Sequence, residues 1–216
     1  MKEPLTRLAA TFLLAAAVAG CATPDKPSRA TLYDFGPGAM QQPASAPGPA
    51  PGPALSPLVL ADIEASAALD GGAVLYRLGY ADAHQLRPYA HARWSAPPPQ
   101  LIRQRLREQL AHDRPVLDLN ESSALARSGG AMPRVMRIEL EEFSHHFESP
   151  SQSAGVLRLR VTLMENTPAG EKLVGQRAVA VRKAASTPDA PGGVRALAAA
   201  TDAAAEEIRQ FLLQAR

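Results

Sequence analysis

From residue 57 onward, the spacing of apolar residues in this 216-residue chain changes period several times, and each change marks an element. A short apolar run at residues 57–63 predicts a strand. Alternation then puts Val74, Tyr76, Leu78 and Tyr80 on one face of a half-buried strand over residues 73–80. Pro97-Pro98-Pro99 stops any strand and opens a helix, because the fixed φ of proline suits a first turn. Leu101, Ile102, Leu106 and Leu110 follow at helical spacing, with Arg103, Arg105, Arg107 and Glu108 largely between them. That predicts an amphipathic helix ending near Asp113, before Pro115. Residues 116–119 read as a short strand and residues 120–133 as a loop. The stretch from Arg134 to Phe147 is the longest strand candidate, with Met136, Ile138 and Leu140 on one face. Its apolar phase then slips to Phe143 and Phe147, which predicts a bulge or bend at Glu141-Glu142. Residues 156–164 alternate cleanly, with Leu157, Leu159, Val161 and Leu163 opposite Arg158, Arg160 and Thr162. A turn at residues 166–170 leads to a return strand over residues 172–182. Gly192-Gly193 reads as a break, and Val194, Leu197, Thr201, Ala204, Ile208 and Phe211 then follow three-four spacing in an alanine-rich helix. The order predicts an α+β fold: a mixed or antiparallel β-sheet with two amphipathic helices packed on one face.

The first 57 residues follow different rules. Lys2 and Arg7 precede a 12-residue apolar run at residues 8–19, which is too short to span a bilayer as a helix of about 20 residues. This is the layout of a secretory signal over residues 1–20. Val18-Ala19-Gly20-Cys21 resembles a bacterial lipobox, which implies lipid attachment at Cys21, cleavage before it and acylation of the new amine. Palmitate or a similar chain would then anchor the protein without spanning the membrane. Ala22, rather than Asp, follows the cysteine, and by the enteric sorting rule this favours the outer membrane, with the protein facing the periplasm. Residues 21–31 read as a lipidated tether and residues 32–216 as the folded domain. Residues 36–57 hold seven prolines and four glycines and no charge, so they read as an extended insertion dispensable for folding.

Charge and chemistry then narrow the function. The 23 basic and 21 acidic residues leave a net charge of +2, without the basic footprint that nucleic acid requires. One cysteine excludes an internal disulfide and any paired-cysteine metal site. No nucleophile elbow, phosphate-binding loop, zinc-protease motif or dinucleotide fingerprint is present, so no catalytic residue, cofactor or metal is assigned. His145 and His146 point to opposite faces of a strand, and His84 and His91 flank a loop near Asp82. Glu139 and Glu141 lie on the solvent-side phase of their strand, and Ser122, Ser123 and Ser128 have no visible base. Arg158, Arg160 and Arg177 suggest a basic stripe on the sheet face away from the helices, either a solvated surface or a docking face.

Several segments carry a family resemblance. Tyr33-Asp34-Phe35-Gly36 follows the tether, and Val74-Leu75-Tyr76-Arg77 comes next. Tyr89-Ala90-His91-Ala92-Arg93-Trp94-Ser95-Ala96-Pro97-Pro98 is the most specific, followed by Leu101-Ile102 and later by Leu140-Glu141-Glu142-Phe143. The chain resembles the ABC-type transport auxiliary lipoproteins, the paraquat-inducible C-type lipoproteins among them. The likeness extends over most of residues 31–214, and residues 36–57 look like an insertion relative to it. It implies a non-catalytic outer-membrane component of an intermembrane lipid transport system. The implied partners are a periplasmic protein with mammalian-cell-entry domains and its ABC permease and ATPase, with self-association into a homo-oligomer left open. Tyr89 and Trp94 are either packing residues or an exposed anchor for such a partner, and Arg158 and Arg160 are the other partner-binding candidates. Two readings compete with this one: a stand-alone envelope-stabilising or assembly lipoprotein, and a small periplasmic hydrolase.

Overall fold

Strand β6 (Arg134–Phe147) organises the molecule, because every other long strand pairs with it or with a neighbour of it. The computed structural model describes residues 29–38, 55–127 and 132–215. The signal segment, Cys21, Ser128 and most of the 36–57 insertion lie outside these residues. Along one edge, β6 pairs in parallel with β2 (Leu58–Ala65) and, further on, with β3 (Ala73–Leu78). Its other edge runs antiparallel to β7 (Ser153–Thr167), which pairs with β8 (Gly170–Ala184). Beyond β3 come β4 (Ala83–Trp94), antiparallel, and β1 (Thr31–Tyr33), parallel to β4. The two-residue β5 (Val116–Leu117) borders β2 and completes a mixed sheet of eight strands. The expected α+β class and mixed sheet are therefore what the chain forms.

The slip at Glu141-Glu142 is a bulge. Leu140 pairs with Leu159 and Glu142 with Arg158, so β6 carries one residue more than β7 there. The bulge flips the phase, which is why Phe143 and Phe147 lie on the buried side with Met136, Ile138 and Leu140. Leu157, Leu159, Val161 and Leu163 of β7 complete that buried face. Helices α2 (Pro98–Leu110) and α4 (Ala190–Gln214) cover it, with Ile102, Leu106, Leu197, Ala204 and Ile208 fully buried. Fully burying a leucine or isoleucine contributes about 1.5–3 kcal/mol, so these faces supply most of the apolar driving force. A one-turn α1 (Gly79–Asp82) links β3 to β4 and takes Tyr80 out of the strand, leaving it exposed.

Three elements differ from the pattern-based reading. Residues 83–94 form a 12-residue strand, where the sequence showed no clear alternation, because half of the β4 residues, drawn from both faces, are exposed. His84 and His91 therefore sit within a strand and do not flank a loop. Residues 119–127 form helix α3 (Leu119–Arg127) rather than a loop. Asp118 Oδ1 accepts from the Glu121 N–H at 2.8 Å, and Glu121 Oε2 accepts from the Asp118 N–H at 2.7 Å, a reciprocal cap that starts the helix.

The third difference is the start of α4, which includes the glycine pair instead of following it. Asp189 Oδ1 caps the helix by accepting from the Gly192 N–H at 2.8 Å. A side chain at Gly193 would place its Cβ 2.4 Å from His145 Nδ1, so glycine is there for close packing. Gly155 on β7 serves the same contact: a Cβ would lie 2.6 Å from the Ala196 carbonyl carbon and the Leu197 nitrogen.

Candidate functional site

Trp94 ends β4, where the chain turns into α2, and its side chain points into the core at 4% exposure. Its ring lies 5.6 Å from Phe35 in a T-shaped contact and 5.5 Å from Phe143. Of the two roles left open for Trp94, packing is the one its position serves. Tyr89, five residues earlier, is half-buried with its ring 4.6 Å from that of Tyr76. Its hydroxyl shares a hydrogen bond of 2.8 Å with His145 Nδ1. Burial pushes the Tyr89 phenol well above its ordinary value, with the Tyr76 phenol a lesser cause. Burial also pushes the His145 imidazole down to about 4, so it is neutral at pH 7. Neither aromatic of the 89–98 segment presents its ring as a free anchor.

Arg158 and Arg160 lie on the opposite face of the sheet, as their phase requires, and both converge on the bulge. Arg158 Nη2 reaches Glu141 Oε2 at 2.9 Å, and Arg160 bonds the other oxygen of the same carboxylate. Arg160 Nε also approaches Glu139 at 3.5 Å. The hydrogen bond from Arg158 is the main reason the Glu141 carboxyl is held below its usual range. Arg77 pairs with Glu142 at 3.0 Å, Arg137 with Glu171 at 2.7 Å, and Arg182 with Glu148. Five arginines thus face five glutamates, and this surface is a charge-balanced network rather than a basic stripe. Arg177 does not belong to it. It opposes the buried Val161 and shares the phase of Val179 and Val181, so its side chain turns to the helix side and donates to Gln214 of α4. The carboxylates Glu139, Glu141 and Glu142 are all engaged by these arginines.

Other sequence candidates are dispersed. His84 lies 3.4 Å from Asp82 on the exposed rim, away from the buried His145. Among the described residues, no group of three or more His, Cys, Asp or Glu side chains is placed to hold a metal ion. Ser122 is buried in α3, and the Ser123 hydroxyl donates to the Leu119 carbonyl at 2.8 Å. A polar cleft between the end of α2 and α4 is lined by Asp113, Asp202, Glu206 and Arg209. Arg209 closes off its charge by pairing with Glu206 at 2.8 Å and Asp113 at 3.3 Å.

Sequence reasoning missed Arg105, which it placed on the polar side of α2. Arg105 is 7% exposed and holds the N-terminal segment against the domain. Its Nη2 donates to the Phe35 carbonyl at 2.8 Å, while Nε lies 3.1 Å from Asp202 and Nη1 3.6 Å from Glu108. Two carboxylates and one carbonyl thus offset the cost of burying the charge. The signal that could have found it is its phase, one residue before Leu106 and four after Leu101.

Comparisons with known proteins agree with this architecture. A crystal structure of a Xanthomonas campestris protein of the DUF330 family superposes with a TM-score of 0.63 at 18% identity, covering 78% of this chain and 90% of that one. A second crystal structure, of an uncharacterized protein, gives a TM-score of 0.58 at 14% identity, covering 85% of this chain and 99% of that one. At these identities the likeness concerns the fold alone. No curated protein sequence matches the chain. The family model for the ABC-type transport auxiliary lipoprotein component matches residues 39–209, and the chain belongs to that family.

Proposed function

We propose that this protein is a non-catalytic lipoprotein, anchored through Cys21 in the outer membrane and facing the periplasm. There it serves as the auxiliary component of an ABC-type system that moves lipid between the two membranes. Its partners are a periplasmic protein with mammalian-cell-entry domains and the permease and ATPase that drive it. The observation that carries this reading is the family match over residues 39–209, which takes in nearly all of the folded unit from Thr31 to Arg216. The lipobox and the polar tether over residues 21–31 support a domain held away from a lipid surface. Among the described residues, no helix is long and apolar enough to cross a membrane.

Affinity purification of the full-length protein from cross-linked envelopes, followed by mass spectrometry, tests the assignment. It should recover a permease, an ATPase and a mammalian-cell-entry protein. Recovery of an unrelated envelope assembly in their place would overturn it. The anchor has its own test. Cys21→Ala should leave the protein out of the outer-membrane fraction, and a variant that still floats with outer membrane at unchanged stoichiometry would refute lipidation at Cys21.

A further inference from the structure

Among the described residues, the sheet ends on one side in a long strand without an outer neighbour. β8 runs for 15 residues and, among those residues, pairs only with β7. The hydrogen-bonding phase of β8 is fixed at its end, where the Ala185 N–H donates to the Ser153 carbonyl at 2.9 Å. The β7–β8 register is unbroken from Ala154–Ala184 to Leu163–Gly175. In an antiparallel pair, alternate residues turn their backbone groups toward and away from the partner. Gln176, Ala178, Ala180, Arg182 and Ala184 therefore direct their N–H and C=O groups outward, and all five are exposed.

Edges of this length are normally blunted by proline, a bulge or a bulky charged residue. Residues 175–184 contain no proline and no bulge, and three of the five outward-facing positions, Ala178, Ala180 and Ala184, are alanines. The charge on the strand is one-sided. Lys172, Arg177, Arg182 and Lys183 oppose a single Glu171, and Arg177 and Lys183 have no carboxylate at ion-pair distance among the described residues. Both stand on the helix-side row, six residues or about 20 Å apart.

We propose that the free edge of β8 over residues 176–184 is a docking site for an extended, acidic segment of a partner protein, which adds to the sheet as a further strand. Backbone pairing to the five outward residues would supply affinity. Carboxylates facing Arg177 and Lys183 would select the partner and its register. Charge argues against a second copy of this chain, since two β8 edges would bring together like charges. The inference does not rest on the transport reading: the edge keeps its geometry whichever partner supplies the strand.

The test uses the full-length protein in detergent and two ten-residue probes, a repeating Thr-Glu peptide and a repeating Thr-Lys peptide. Hydrogen exchange should show protection of the Gln176, Ala178, Ala180, Arg182 and Ala184 amides with the Thr-Glu peptide only. Its affinity should fall several-fold between about 50 and about 300 mM salt. Ala180→Pro removes one outward N–H, which an edge strand tolerates, and should abolish binding with unfolding unchanged. Arg177→Glu with Lys183→Glu should weaken binding by about tenfold, and this pair decides the matter alone if Ala180→Pro does not fold. Equal binding of the Thr-Lys peptide, no protection of the five amides with either peptide, or a protein that dimerises by itself with those amides protected would each overturn the proposal.

Discussion

His145 shows how one buried polar residue carries an energetic consequence. Its imidazole is fully buried on β6, shares its Nδ1 hydrogen bond with Tyr89 and lies under Gly193 of α4. Asp189 favours its charged form and His146 disfavours it, but burial is the largest effect and pushes it down to about 4. An imidazole in the unfolded chain titrates near about 6.5. Between these two values the unfolded chain binds more protons than the folded one, so stability falls as pH drops from about 6.5 toward 4. The full shift corresponds to about 3 kcal/mol lost on acidification. Urea unfolding at pH 7, 5.5 and 4.5 should show this loss, and His145→Gln should flatten it. Parallel pH curves for the two proteins would place the acid sensitivity elsewhere.

At the scale of elements, the helix–sheet contact depends on missing side chains. α4 crosses β7 at Gly155, where a Cβ would meet backbone atoms of Ala196 and Leu197 at 2.6 Å, and backbone cannot swing aside as a flexible side chain can. Gly155→Ala should therefore push α4 outward and cost about 2–3 kcal/mol, in the manner of overpacked cores. Thermal unfolding should register a clear drop in Tm, while far-UV circular dichroism stays unchanged. An unaltered Tm would mean that the helix yields at no cost. α3 shows the other side of element-scale reasoning: its Asp118–Glu121 capping box stands in the sequence, yet the surrounding Ser and Gly residues read as a loop. Local polarity and a helix start were in conflict, and the cap prevailed.

For the whole molecule, sheet order changes what the 36–57 segment must do. β1 and β2 are adjacent in the chain but are not neighbours in the sheet: β2 pairs with β6 directly, whereas β1 lies beyond β4 and β3, further along the same edge of β6. Deleting residues 39–56 would leave Gly38 joined to Pro57 across about 3.8 Å, less than one strand spacing. That deletion should detach β1 and withdraw Phe35 from Trp94. Deleting only residues 43–50 leaves ten residues, with a reach of about 33 Å, and should change nothing. Trp94 is the single tryptophan, so its fluorescence reads the outcome directly: a red shift for the long deletion and none for the short one. A long deletion with unshifted emission would show that the β1 segment holds without its connection.

The sequence by itself determined β6, β7, β8, α2 and most of α4, together with the bulge at Glu141-Glu142. Each is written in a period of two or three-four among neighbouring residues, and apolar burial enforces that period locally. Family membership was legible for a similar reason, since its segments are contiguous runs. The tertiary structure decided what depends on residues far apart in the chain. It set Glu141 between Arg158 and Arg160, turned Arg177 to the helix side, and buried Arg105 beneath the Phe35 carbonyl. It placed Trp94 in the core and made Gly193 part of a helix rather than a break. It also left β8 at an open edge, because strand order follows from how helices and strands close over one core, and no local period encodes that order.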